Sequence, residues 1–308
     1  MRKSVLIVVA VSMLPLIALF IVNDLGVRQE RELQVREQAL KEARNLAKET
    51  SLLFEGAGQL LDAVATSAAV VERDRAKCQA QLGRLLARQT RYISLAVLTP
   101  SGDIACRHDG VTGRNFSDRS YFKEAVAAPG MLVLSEMLES RITGTPTLAT
   151  ARAYSDEAGV VQSVVVASLD LQWLAVQIAS RSMTEGGSLT IADQNGTILA
   201  RKPLNDQFFG TKIPDSFIHL ITADEPGVEL VNSQDGTRRF LGYVPVSYDP
   251  VGLYVSAGIA IDPVFADLNA STMRTVLVAI VAAIFATAAA ALIVTLIGRK
   301  PPPTTSAK

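Results

Sequence analysis

Apolar residues concentrate near the two ends of the chain and alternate with polar ones through the middle. Residues 5–22 and 276–297 are uncharged runs; Arg2 and Lys3 precede the first, and Arg299 and Lys300 follow the second. At about 1.5 Å per residue the second run spans about 33 Å, enough to cross a hydrocarbon core; the first lies at the short end of that range. Pro15 is compatible with a membrane helix. A cleaved leader would share the charged start and apolar middle of the first run, but no small-x-small cleavage site follows it. An uncleaved anchor is therefore the expectation. Basic residues at the outer end of each run predict cytoplasmic termini, residues 1–4 and a short tail at 298–308, with residues 23–275 outside the cytoplasm.

Charged, helix-favouring sequence follows the first run, RQERELQVREQALKEARNLAKETSLLF. Leu33, Leu40, Ala47 and Phe54 recur every seven residues, and Leu46, Leu53 and Leu60 form a second row. This predicts one long helix over 25–70 with a stripe that can pack on a second subunit, giving a homodimer, or on the domain beside it. Two similar hairpins come next, VLTPSGDIACR at 97–107 and IADQNGTILAR at 191–201. Each enters a turn closed by glycine (Gly102, Gly196), where positive φ is needed, and each ends in arginine (Arg107, Arg201). Gly113 to Asp118 parallels Gly210 to Asp215, and alternating strands close both halves. The repeat predicts two α+β modules in tandem, at 71–180 and 181–268.

Composition narrows the function. Thirty basic residues balance thirty acidic ones, so no basic face is available for nucleic acid. The hydrophobic fraction, 49%, agrees with membrane segments. Cys78 and Cys106 both fall in the expected external part, where an oxidising compartment favours one disulfide; two buried free thiols are the alternative. His108 and His219 are the two histidines, and neither belongs to a metal or nucleophile motif. No catalytic residue, metal or cofactor is expected, and the chain does not read as an enzyme.

The stretch NFSDRSYFKEA, 115–125, carries the candidate chemistry. Ser117 or Asp118 can cap a short helix stopped at Pro129-Gly130. On that helix Arg119, Phe122 and Val126 share a side, with Phe122 and Val126 toward a sheet and Arg119 at the edge of that contact. Arg114, Arg141 in SRITGTP and Arg152 in LATARAY can converge there; alternation puts Leu148, Thr150, Arg152 and Tyr154 on one strand face. Against this stands simple pairing of Arg119 with Asp118, Glu124 or Glu136, and an Arg152 that points to water.

The long helix, Cys78, the 92–107 hairpin with Cys106, DRSYF, TGTPTL and the closing VVVASLDLQWL together resemble the double Cache sensor domains of bacterial receptors, over about residues 28–265. The resemblance implies an α+β fold: a long N-terminal helix and two tandem PAS-like (Cache) modules with antiparallel sheets, flanked by two transmembrane helices. The membrane-distal module would bind a small molecule with Arg119, Tyr121 and Phe122, joined by Arg141, Arg152 and Ser168. Family amino-acid receptors place an aspartate for the ligand's ammonium where this chain has Ser168. Several arginines without that acid imply an anionic metabolite such as an organic acid, held by bidentate guanidinium contacts. Eleven residues follow the second run, so a kinase, cyclic-dinucleotide enzyme or chemotaxis output would lie on a longer chain or a separate cytoplasmic partner.

Overall fold

The computed structural model describes the backbone of residues 2–297 and the side chains within it, except those of residues 2–18, 267, 290, 291 and 293–297. Two compact units result, Arg36–Ala260 and the residues on either side of it. Helix α1 runs from Arg2 to Ala65, and the expected first span, 5–22, falls within it. Most of that span's side chains, and the expected tail at 298–308, lie outside the described residues.

Within Arg36–Ala260, the short helix α2 (Ala68–Val71) and α3 (Arg75–Leu86) follow α1. Asp74 caps α3 by accepting from the Lys77 N–H at 3.0 Å. The first sheet comprises β1 (Tyr92–Leu98), β2 (Ile104–Arg107), β3 (Val133–Glu139), β4 (Pro146–Ser155) and β5 (Val161–Asp170), with helix α4 (Ser120–Ala127) between β2 and β3. Asp170 then caps α5 (Leu171–Ser180). The second sheet comprises β6 (Ser188–Ala192), β7 (Ile198–Lys202), β8 (Gly227–Asn232), β9 (Arg238–Val244) and β10 (Tyr254–Ala260), with short helices α6 (Asn205–Phe208) and α7 (Ile218–Ile221) between β7 and β8.

Both sheets are antiparallel and share one order, β2-β1-β5-β4-β3 and β7-β6-β10-β9-β8. The repeat extends to single hydrogen bonds. Bridges Asp103–Asn115 and Thr197–Lys212 occupy equivalent places, as do the Phe116 N–H to Gly102 carbonyl and Ile213 N–H to Gly196 carbonyl bonds. Gly102 (φ +87°) and Gly196 (φ +73°) supply the positive φ that each turn requires.

The stripe on α1 covers the chain's own sheets. Ala43, Leu46, Phe54, Ala57 and Leu61 are buried in one core that also takes Leu148, Val165 and Leu169 from the first sheet and Ile191, Leu199 and Val255 from the second. The opposite face of the first sheet packs Tyr121, Phe122 and Ala125 of α4 against Ala149, Ala151 and Val166. Cys78 on α3 is bonded to Cys106 on β2, so the two cysteines form a disulfide.

In the other unit, α8 runs from Ile261 to Ile297. Among the described residues, Ile261–Ala289 is the one stretch long and apolar enough to cross a membrane. Asp24 and Arg28 of α1 bond to Thr272 and Asn269 of α8 within this unit.

Candidate functional site

The α4 face of the first sheet carries a small cavity, about 40 Å³, roofed by α4 and the segment joining β3 to β4. Strand alternation aims Ser94 and Ala96 of β1, Thr147 and Ala149 of β4 and Val166 and Ser168 of β5 at it, while their neighbours face α1. Arg107, Phe116, Arg119, Tyr121 and Arg141 complete the wall.

Four of the six expected binding residues thus meet: Arg119, Tyr121, Arg141 and Ser168. Arg119 is the N-cap residue of α4, in extended conformation, and no side chain caps that helix. Phe122 is buried and Val126 packs half-buried against the same core, so both face the sheet as expected, and Tyr121 and Ala125 join them on the buried side. One terminal nitrogen of Arg119 donates to the Glu139 carbonyl at 3.1 Å, and its buried Nε has no partner. Among the described residues no carboxylate stands within ion-pair distance of it: Asp118, which feels its charge, is clasped by Arg141, and Glu136 accepts from Ser120.

Arg141 pairs with Asp118 in bidentate fashion, at 2.9 and 2.6 Å, and donates to the Asn115 carbonyl. Hydrogen bonds from Arg141 and its positive charge hold the exposed Asp118 carboxyl down at about 2, so this clasp stays ionised across the neutral and mildly acidic range. Burial pushes the Tyr121 phenol up to about 12, against the opposing pull of the Arg119 and Arg141 charges, which keeps it a hydroxyl donor. Ser94 and Ser168 hydrogen-bond to each other at 2.9 Å. The nearby acid Asp170 is occupied by the Gln172 and Trp173 N–H groups.

The other two expected residues stand elsewhere. Phe122 is buried in the apolar layer and is not part of the cavity wall. Arg152 belongs to the helix-facing side of β4, where one guanidinium nitrogen meets both oxygens of Asp62 on α1 at 2.6 and 2.7 Å, and Tyr154 donates to the same carboxylate. It pairs with α1 rather than joining the cavity or pointing to water. Burial raises the Asp62 carboxyl, but the Arg152 and Tyr154 hydrogen bonds and the Arg152 charge outweigh it, for a net lowering. That contribution is complete above the unfolded carboxyl's titration near pH 4 and fades as pH falls through the lower folded value. Arg152→Gln is expected to cost about 1 kcal/mol at pH 7, since Asp62 is half exposed, measured as a shift in denaturant midpoint.

Arg107 is the residue the sequence reading did not assign to the site. It is 4% exposed, lines the cavity and pairs with Asp109. Its place at the end of a hairpin that repeats at Arg201 was the available signal. His108 beside it is partly buried. Burial lowers its basicity more than Asp109 restores it, and its Nδ1 accepts from the Leu95 N–H. Altogether three guanidiniums, Arg107, Arg119 and Arg141, face two carboxylates, Asp109 and Asp118. Arg107 and Arg141 each hold one of these carboxylates in an ion pair, and Arg119 holds neither.

A larger groove, about 640 Å³, lies between α2, α3 and the rim of β1 and β2, with Arg73 and Arg75 exposed at its mouth. Its charged groups are solvated, so it lacks the desolvated donors of the smaller cavity.

A search of curated proteins returned no match. Solved structures do match. The rpHK1S-Z16 extracellular domain, assigned to a histidine kinase, superposes with a TM-score of 0.65 at 20% identity, covering 74% of this chain and 95% of that one. The ligand-binding domain of Pseudomonas fluorescens chemoreceptor CtaA, in complex with L-isoleucine, gives 0.60 at 19% identity, with 78% and 97% covered. The ligand-binding domain of Mlp24 with asparagine gives 0.57 at 16% identity, with 79% and 99% covered. At these identities the likeness is one of fold. The family model described as Cache domain matches residues 27–268, the long helix and both sheets together, and the chain belongs to that family.

Proposed function

We propose that the chain is the sensor part of a two-span membrane receptor and that its first module, 71–180, is membrane-distal and binds a small carboxylate anion. The observation that carries this reading is Arg119, a pocket guanidinium whose buried Nε has no partner and which holds no carboxylate in an ion pair among the described residues. A carboxylate would accept from Arg119 and draw on Arg107 at its side, with Tyr121 donating its hydroxyl. CtaA and Mlp24 were solved with amino acids. Here the Ser94–Ser168 pair replaces an acid that could hold an ammonium, which favours anions without one.

The cavity of about 40 Å³ has room for little more than a water molecule, so ligand entry requires the roof to lift. Arg119 holds that roof through the Glu139 carbonyl and Arg141 through Asp118. A ligand that captures Arg119 frees the Glu139 end of β3. Met137 on that strand donates its N–H to Asp193 of the second half at 2.8 Å, which gives the movement a route toward β6 and, through β10, to α8. To signal, the ligand must prefer one of the two arrangements. Residues 5–22 and 276–297 would be the spans, residues 23–275 periplasmic, and output would pass through the second span to a cytoplasmic partner or domain. Leu33, from the row suited to a second subunit, stays exposed on α1 and is a contact a homodimer would use.

Thermal unfolding of the detergent-solubilised chain against mono- and dicarboxylates, isoleucine and asparagine tests the reading. A carboxylate is expected to raise Tm, and Arg119→Ala to weaken its binding at least 30-fold, since stranding a charged hydrogen bond costs about 2 kcal/mol or more. Ser168→Asp is expected to move the response toward amino acids. A carboxylate hit unchanged in Arg119→Ala would sink the pocket assignment. A screen with no hits would favour the second reading, a membrane-anchored protein-interaction module, for which the closed cavity is the supporting observation.

A further inference from the structure

We propose that the second module holds a small monovalent anion of chloride size against Arg201. Arg201 on β7 repeats the position of Arg107 on β2, and it is 7% exposed. Its Nη1 donates to the Thr190 hydroxyl at 2.8 Å, and its guanidinium carbon lies 4.7 Å from the Phe208 ring centre. Nε and Nη2 are buried with no hydrogen-bond partner.

The nearest carboxylate does not satisfy them. Asp235 Oδ2 stands 3.6 Å from Nη2, inside ion-pair range but beyond a hydrogen bond. Asp235 is committed elsewhere: its Oδ1 accepts from Arg239 Nη1 at 2.6 Å and from the Thr237 N–H. Side chains of Arg201, Arg239 and Asp235 are 8%, 2% and 7% exposed. Two buried cations therefore share one buried anion, and one positive charge is left uncompensated in a low-dielectric site.

The orphaned donors open on a cavity of about 30 Å³ with hydroxyls of Ser188, Ser233, Tyr254 and Ser256 around it. That volume excludes an organic metabolite and admits one monatomic ion or one water. A water would satisfy a donor but leave the charge, whereas a halide answers both. Gln234 also faces the cavity with a buried, unpartnered Oε1; turning its amide presents the NH₂ to the anion.

The test is thermal unfolding of the full chain in detergent, in sodium chloride against sodium gluconate at equal ionic strength. Chloride is expected to raise Tm by about 5 °C and to saturate, as binding to the folded state alone requires. Gln234→Glu, which places a carboxylate beside Arg201, is expected to fold and to melt at one temperature in both salts. Arg119→Ala, in the other module, is expected to keep the chloride response. Equal melting of the unaltered chain in both salts would mean water fills the cavity and would overturn the proposal. So would a chloride response that survives Gln234→Glu, or one that Arg119→Ala abolishes, which would put the ion in the first module.

Discussion

Gly242→Ala is expected to destabilise the protein by about 2 kcal/mol or more, despite being the smallest substitution a glycine can undergo. A Cβ at this position would lie 2.2 Å from the Ala39 carbonyl oxygen and 2.6 Å from the Leu40 nitrogen. Both are backbone atoms of α1, so no side chain can rotate away and the helix itself must move off β9. Overpacking of this kind costs about 3 kcal/mol, while alanine recovers only about 0.4–1 kcal/mol by narrowing the unfolded ensemble. The steric term wins. For a unit of this size the Tm should fall by roughly 4–8 °C, and Gly242→Val should do worse. Gly26 gives the opposite sign: it lies within α1 with open space around its Cβ position, and Gly26→Ala is expected to be neutral or stabilising by up to about 1 kcal/mol. Unfolding midpoints of the two variants against the parent decide the matter; equal effects would contradict the close packing of helix on strand.

Removing the disulfide by Cys78→Ala with Cys106→Ala is the other large effect. The bond closes a loop of 28 residues in sequence separation, for which loop-closure entropy gives about 3.5 kcal/mol. Both sulfurs are buried, so truncation to alanine also forfeits packing. The lost constraint has a functional side, because Cys106 precedes Arg107 and the disulfide pins the strand that presents this guanidinium to the cavity. The double variant is expected to melt roughly 7–14 °C lower under oxidising conditions and, where still folded, to bind a carboxylate ligand more weakly. A parent protein insensitive to reductant in the same melting experiment would refute the structural role.

Periodicity made the architecture legible. The repeat of the two glycine hairpins in sequence became two sheets of identical strand order, and the run after residue 28 became one continuous helix. Periodicity did not say what that helix covers: a heptad row suits a partner or the chain's own sheets, and the burial of Leu46, Phe54 and Leu61 against both sheets shows the latter. Spacing placed Phe122 and Val126 of α4 toward the sheet, but not that Arg119 ends the extended segment rather than starting the helix, nor that Tyr121 and Ala125 share the buried side. Alternation correctly grouped Arg152 with Leu148 and Tyr154. The choice of face depended on Asp62, ninety residues away, which no local pattern reports. Arg107 was overlooked for a related reason, since a strand-terminal arginine ordinarily reads as solvated, and only the roof formed by α4 and Arg141 makes it a wall.

The core that α1 shares with both sheets bears on how the protein can be divided. Leu148 and Val165 from one sheet and Ile191 and Val255 from the other are sealed by the same helix, so neither half owns a complete interior. A cut in the stretch before β6 would leave the first half with the helix and a bare apolar strip, and the second half with one sheet face open to water. Neither fragment should fold alone, and the unit Arg36–Ala260 should unfold in a single cooperative step.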